Sequence, residues 1–231
     1  MAQEDRASQG YWQRLRSAET GILTAVGARS VFPAGATLLP QQDTSGDVMF
    51  IQSGFTKVVT RTLAGRQVVF ALRGPGDIVG EMSFSDGGRR CAAVAAITKV
   101  EAVRVAQREF CDFLAGSPHA DELLRHTLVE RLREADRDRL AAAVMTVGQR
   151  LARLLLKLVN RYGVPNADGD LVIALLTQRE LAACVGGALR TVAREMGLWR
   201  NRRIISTTRQ SVTVHQPETL ARIAGNGSPP P

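Results

Sequence analysis

The sequence predicts an α+β protein, with a β-domain of sandwich or barrel type in the N-terminal half, a long connecting helix, and a C-terminal winged helix-turn-helix. Three observations predict it. Residues 29–105 fall into short apolar runs, RSVF, VMFIQ, FTKVVTRT, QVVFAL, CAAVAAI and VEAVRV, punctuated by Gly35, Gly46, Gly54, Gly65, Gly74, Gly76 and Gly87-Gly88. Strands about 8–12 residues apart with glycine turns are the pattern of a closed β architecture. Residues 108–145 then read as helix, without a proline after Pro118. Residues 176–205, LTQRELAACVGGALRTVAREMGLWRNRRII, have the grammar of two short helices joined by a glycine turn.

Taken in order, the first ten residues and the tail at 225–231 are small, polar or proline-rich and are expected to be disordered. Tyr11, Trp12, Leu15, Ile22, Leu23 and Val26 predict an opening helical segment, interrupted near Gly21, that packs on the next domain. The β-domain follows, spanning residues 29–115. In the long helix, 116–145, Leu124, Leu128, Ala135 and Ala142 fall within about 40° of one another at 100° per residue, with Leu132 at the edge. That seam suits a helix pairing with its twin, and the charged run RLREADRDR is its solvated face. The alternative is that the seam packs on its own β-domain, since sustained heptads are absent.

The C-terminal domain, 146–224, opens with a helix over residues 146–161 carrying Leu151, Leu154, Leu155 and Leu158 and closed by Gly163 and Pro165. A loop and the strand-like LVIAL lead into the helix-turn-helix. Thr177 and Glu180 form a capping box, so a helix begins at Gln178 with Leu181, Ala182 and Val185 inward. Gly186-Gly187 breaks it, and Leu189, Val192, Met196 and Trp199 recur with the period of a second amphipathic helix. Between them stand Arg190, Thr191, Arg194, Arg200, Arg202 and Arg203. An apolar back and an arginine-rich front after a tight turn is the arrangement that reads the major groove. Ile204-Ile205 and residues 211–214 predict a two-stranded wing, and PETLARIA a last short helix.

Charge places the partner. The chain is 45% hydrophobic and 23% charged, a soluble balance, with net charge +8. Residues 1–145 hold 18 basic against 17 acidic groups, whereas 146–231 hold 12 against 5, so the excess belongs to the half with the helix-turn-helix and points to double-stranded DNA. Cys91, Cys111 and Cys184 are isolated, no apolar leader opens the chain, and no run of about 18 apolar residues exists, which predicts a cytoplasmic protein without a membrane span. His119, His126 and His215 are too scattered for a metal site, and no nucleophile-base set forms, so neither a metal nor an enzyme is expected.

The segment GPGDIVGEMSFSDGGRRCAAVAA, residues 74–96, closely resembles the phosphate-binding cassette of cyclic-nucleotide-binding domains. With the long helix and winged helix-turn-helix behind it, the chain resembles the Crp/Fnr family of bacterial transcription regulators. Its most specific marks are Gly80-Glu81 with Arg90 nine residues later, and LTQRELA followed by TVAR. The resemblance implies a β-roll of the double-stranded β-helix (jelly-roll) type, a homodimer through the Leu124–Ala142 seam, an inverted-repeat DNA site and RNA polymerase as a further partner. The chemistry of the cassette is independent of the family. A cyclic phosphate suits a forked guanidinium and adjacent N–H groups, which Arg90, Cys91 and Ala92 supply, and Glu81 after Gly80 accepts a ribose hydroxyl. On the DNA side, Arg190 and Arg194 are the base readers, Thr177, Gln178 and Thr191 position phosphates, and Arg200, Arg202 and Arg209 touch phosphates beyond the helix or on the wing.

Several departures leave the effector open between cyclic AMP or cyclic GMP, another ligand, and none. Cys91 replaces the hydroxyl residue that follows the arginine in cyclic-AMP-responsive members, and Ala135 and Asp136 replace hydroxyls that hold the adenine, although Asp136 retains an acceptor. The cysteines are too far apart for an iron-sulfur cluster; haem would want a histidine or cysteine ligand in the β-domain, where Cys91 is available but no histidine precedes Pro118. Leu189 stands where a polar reader is common and Arg203 where a helix-ending glycine is. Two rivals remain at this point: a nucleotide-sensing module acting through a protein partner, and a ligand-independent DNA-binding protein with a purely structural β-roll.

Overall fold

The computed structural model describes residues 9–61, 67–174, 177–208 and 211–225. The expected turn at Gly65, Arg209 expected beyond the recognition helix or on the wing, and the two chain ends expected to be disordered lie largely or wholly outside these residues. Backbone contacts divide the chain into two compact units, residues 1–135 and 136–231.

The first unit opens with α1 (Tyr11–Arg14) and α2 (Ser17–Val26). Their break falls at Leu15 and Arg16, both extended, and not near Gly21, which lies inside α2 facing open space. Tyr11, Leu15 and Leu23 are buried, whereas Ile22 and Val26 stay exposed. Two four-stranded antiparallel sheets follow. β1 (Ala28–Phe32), β3 (Val48–Ser53), β6 (Ile78–Val79) and β8 (Val100–Val105) form one in the order β1-β8-β3-β6. β2 (Thr37–Leu39), β4 (Thr56–Arg61), β5 (Gln67–Arg73) and β7 (Ala93–Ala96) form the other in the order β2-β7-β4-β5.

β3 shows why its sequence is a continuous apolar run. Met49 and Ile51 join the core with Leu38, Leu39, Val79, Val94 and Val100, while Val48 and Phe50 join a second core with Tyr11, Leu23, Phe110 and Phe113. A strand buried on both faces cannot alternate. Two short helices, α3 (Glu81–Asp86) and α4 (Gln107–Gly116), precede the long α5 (Pro118–Val144). The single helix expected over 108–145 is therefore two, parted at the non-helical Ser117, and Pro118 stands at the start of α5 where its missing N–H costs nothing.

In the second unit α6 (Val147–Tyr162) is capped by Thr146, whose hydroxyl accepts from the Gln149 N–H at 3.3 Å. Leu151, Leu155, Leu158 and Val159 form its buried stripe. β9 (Val164–Pro165), β10 (Leu171–Ala174), β11 (Ile205–Thr207) and β12 (Ser211–Val214) make a sheet in the order β11-β12-β10-β9. Between β10 and β11 lie α7 (Gln178–Val185) and α8 (Leu189–Asn201), and α9 (Pro217–Ile223) closes the unit. This is the winged helix-turn-helix the sequence predicts, with β9 added at the sheet edge.

Candidate nucleic-acid interface and ligand cassette

The turn between α7 and α8 is dictated by its glycines. Gly186 caps α7 in the left-handed region at φ 60°, and a Cβ on Gly187 would sit 2.8 Å from Cγ1 of Val147. Val192, Met196 and Trp199 bury one face of α8, while Arg190 and Arg194 stand exposed on the other. Leu189, which the sequence places both in the apolar period of α8 and at a reading position, is 43% exposed at the first turn, because its position lies outside the arc of the three buried side chains. Arg194 holds Glu195 at 3.2 Å. Thr191 and Gln178 are half-buried, and the Thr177 hydroxyl is engaged with Glu180 in the capping box. Arg200 and Arg202 are exposed, and Arg209 lies outside the described residues.

Arg200 joins two clefts. One, of about 360 Å³, is lined by Thr177, Gln178, Arg200, Thr207, Thr208 and Ser211. The other, of about 450 Å³, includes Arg203, Ser206 and His215. Hydroxyls, a guanidinium that donates to Thr207 Oγ1 at 3.1 Å, and the N-terminus of α7 together form an anion-favouring surface. Arg150 braces this unit from behind, donating to the carbonyls of Val185 at 2.9 Å and Met145 at 2.6 Å.

In the β-domain, Gly80 is left-handed at φ 93°, and a Cβ there would lie 2.6 Å from the Asp47 carbonyl, so only glycine fits before α3. Glu81 begins that helix 5% exposed and ion-paired with Arg131 of α5, which also donates to the Ile78 carbonyl at 2.7 Å. Burial alone would depress the pKa of Arg131; Glu81 and then Asp77 more than offset it, so the guanidinium is held firmly charged. Arg90 is 4% exposed, and four donors are committed inward: Nε to Asp43 at 3.2 Å, Nη1 to Ser83 Oγ at 3.1 Å, and Nη2 to Ser45 Oγ at 3.0 Å and to the Asp47 carbonyl at 2.8 Å. Ala92 is buried beside it and Cys91 exposed. Asp136 is exposed and paired with Arg139 along its own helix at 2.9 Å.

Sequence reasoning missed Arg131, Asp43, Ser45, Asp47 and Ser83. Arg131 carried a signal, since two helical turns beyond Leu124 place it on the buried face. The other four lie in segments with no pattern of their own. On α5 the seam is redrawn as well. Leu124 is 4% exposed and belongs to its own unit's core, Leu128 is half-buried, and Leu132, Ala135 and Ala142 are exposed together with Val129, Leu140 and Val144.

The description "Cyclic nucleotide-binding domain" matches residues 29–117, and "Crp-like helix-turn-helix domain" matches residues 149–223. Over 219 residues the chain is 31% identical to the CRP-like cAMP-activated global transcriptional regulator of Mycobacterium tuberculosis, covering 94% of this chain and 97% of that one. The chain belongs to the Crp/Fnr family. Like its relatives, this Crp/Fnr regulator is a DNA-binding transcription regulator with a β-roll of the cyclic-nucleotide-binding type. It is also 28% identical to a global nitrogen regulator of Nostoc, over 83% of this chain and 86% of that one. Its fold matches that of FixK2 from Bradyrhizobium japonicum with a TM-score of 0.77, over 86% of this chain and 97% of that one, at 18% identity. No helix among the described residues is long and apolar enough to cross a membrane, and no group of three His, Cys, Asp or Glu among them could hold a metal ion.

Proposed function

We propose that this regulator acts in the cytoplasm as a homodimer on an inverted-repeat site, reading bases with Arg190 and Arg194 and gripping phosphates around Arg200, Arg202 and Arg209, under control of a cyclic mononucleotide in the cassette of the β-roll. The observation that carries the reading is the exposed arginine pair four residues apart on α8, opposite Val192, Met196 and Trp199. The effector is supported by the glycine-only geometry at Gly80, by Glu81 and Arg90 converging on the start of α3, and by the relatives in M. tuberculosis and Thermus thermophilus, a cAMP-activated regulator and a cyclic AMP receptor protein respectively. In the bound state Arg90 and the backbone near Ala92 hold the cyclic phosphate and Glu81 the ribose hydroxyl. The cassette fits the anion in donor chemistry, with Arg90 as its charge. The regulator performs no catalysis, and RNA polymerase is its downstream partner.

The test pairs two titrations. Gel shifts on a selected DNA site, with and without cyclic AMP or cyclic GMP, should show retardation that the effector strengthens. Calorimetry with the same nucleotides should show saturable heat. DNA binding unaltered by either nucleotide, with no heat, would assign the β-roll to scaffolding alone.

A further inference from the structure

Arg90 is matched by Asp43 at 3.2 Å, as are its neighbours Arg131 by Glu81 and Arg104 by Asp47 at 2.5 Å. A cyclic phosphate entering this site therefore meets no uncommitted positive charge at Arg90. A guanidinium has five N–H donors, and four of those on Arg90 already have acceptors. Three acceptors, Ser83, Ser45 and the Asp47 carbonyl, are neutral and can remain beside a bound anion. Asp43 cannot, because two anions on one guanidinium repel.

Asp43 also has the properties of a group that can leave. It sits in the irregular stretch between β2 and β3, with its side chain 32% exposed, against 3% for Arg90. Its carboxyl is held ionised, its pKa brought down to about 2 by the Ser45 hydroxyl first and then by Arg90. The backbone on either side is fastened independently, since the Gln42 N–H donates to the Arg90 carbonyl at 2.9 Å and the Arg90 N–H to the Asp43 carbonyl at 3.0 Å. The carboxylate can swing away without unthreading the loop.

We infer that Asp43 is an internal competitor for the phosphate position, a carboxylate that occupies Arg90 until a cyclic nucleotide displaces it and that thereby sets the concentration at which the β-roll fills. This rests on the cyclic-nucleotide reading above. Removing the competitor leaves Arg90 buried without its counter-charge in the empty protein, a state that only the ligand relieves. The apo form should lose stability and the ligand should bind more tightly, through one and the same cause.

The experiment compares the full-length protein with Asp43→Asn, which keeps size and the Ser45 contact, and with Asp112→Asn on the exposed side of α4 as a control for overall charge. Asp43→Ser is carried in parallel in case the asparagine variant does not fold. Calorimetry with cyclic AMP and cyclic GMP should show affinity about tenfold or more higher in the Asp43 variants than in wild type, the scale of one hydrogen bond to a charged group, and unchanged in Asp112→Asn. Thermal unfolding should show a lower apo midpoint and a larger ligand-induced rise. Binding by the variant where wild type shows none supports the inference too. If wild type binds and the Asp43 variants bind equally or more weakly, the inference fails and the cyclic-nucleotide reading stands. If no protein binds either nucleotide, both fail.

Discussion

Arg203 sits where the chain leaves the recognition helix, at φ 53°, a left-handed conformation that side chains other than glycine adopt at a cost of about 1–2 kcal/mol. The surrounding bonds demand that conformation. The Ile204 N–H reaches back to the Trp199 carbonyl at 2.9 Å and the Arg203 N–H to Arg200 at 2.9 Å, the paired bonds of a Schellman ending, with Ile204 and Trp199 buried together. The turn into the wing is thus made without the glycine usual there. Arg203→Gly should stabilise the C-terminal unit by about 0.5–1 kcal/mol, net of the added freedom of the unfolded chain, and thermal or urea unfolding will read it. A loss of stability would mean that the arginine side chain contributes more than its backbone costs. At this scale sequence and structure part company in a regular way. Gly80, Glu81 and Arg90 are legible because the cassette is one local segment. Asp43 and Asp47 are not, since they reach Arg90 across 47 and 43 positions and stand in a loop whose composition says only turn. Leu189 departs from the buried face its period suggests, because an apolar residue at the first turn of a helix fits that period without lying on the buried arc.

Elements are held by a few polar clamps that their hydrophobic patterns do not announce. Glu19 of α2 is buried where α4 meets α5, accepting from the Ser117 hydroxyl at 2.6 Å and the Arg16 N–H at 2.7 Å, with His119 at 3.0 Å. Burial would raise its pKa, but these three partners together hold it below the ordinary carboxylate value of 4.5. A depressed folded pKa means stability that is fully present above the unfolded value and lost as pH falls through the folded one. Glu19→Gln should therefore cost about 1–3 kcal/mol near neutral pH, with the gap to wild type closing in acid. Urea unfolding at both pH values measures it, and a gap independent of pH would show a packing effect instead. On α5, Leu132 is 59% exposed and belongs to the proposed pairing seam, so Leu132→Glu should leave the fold intact while placing a charge in the proposed dimer contact. Light scattering at micromolar concentration should find dimer for wild type and monomer for the variant; a monomeric wild type would reject the seam. The apolar strand runs and the helices α5 to α8 are visible in the sequence, whereas the pattern puts a break near Gly21 inside α2 and runs α4 on into α5. β2, β6 and β9 are not visible, because three or two residues make no period. The break at Ser117 is hidden for a related reason, as helical periodicity continues across a single non-helical residue.

At the scale of the whole molecule the uneven charge decides how DNA is held, with 12 basic against 5 acidic residues after residue 145 and near balance before it. A two-fold dimer places its two recognition helices in successive major grooves about 34 Å apart, so the selected site should be an inverted repeat with half-site centres roughly one turn apart. Arg190 and Arg194 share the outward face of α8, and either, if bidentate to guanine O6 and N7, should contribute about 1–3 kcal/mol of discrimination at one base pair per half-site. Glu195 holds Arg194 without DNA, at 3.2 Å, so part of that arginine's gain goes into exchanging an exposed ion pair, and Arg190 should show the larger effect. Arg202 caps the helix and Arg200 lies between two clefts lined with hydroxyls, positions suited to phosphates and blind to sequence. Removing either should weaken binding to all sequences alike and lower the salt slope by about one for each phosphate that is no longer neutralised. Randomised-site selection with Arg190→Ala, Arg194→Ala and Arg202→Ala, repeated as titrations across salt concentrations, separates the two classes. Should Arg202→Ala change the selected motif while Arg190→Ala and Arg194→Ala leave it intact, the reading surface lies at the end of α8 and on the wing instead of on its exposed face.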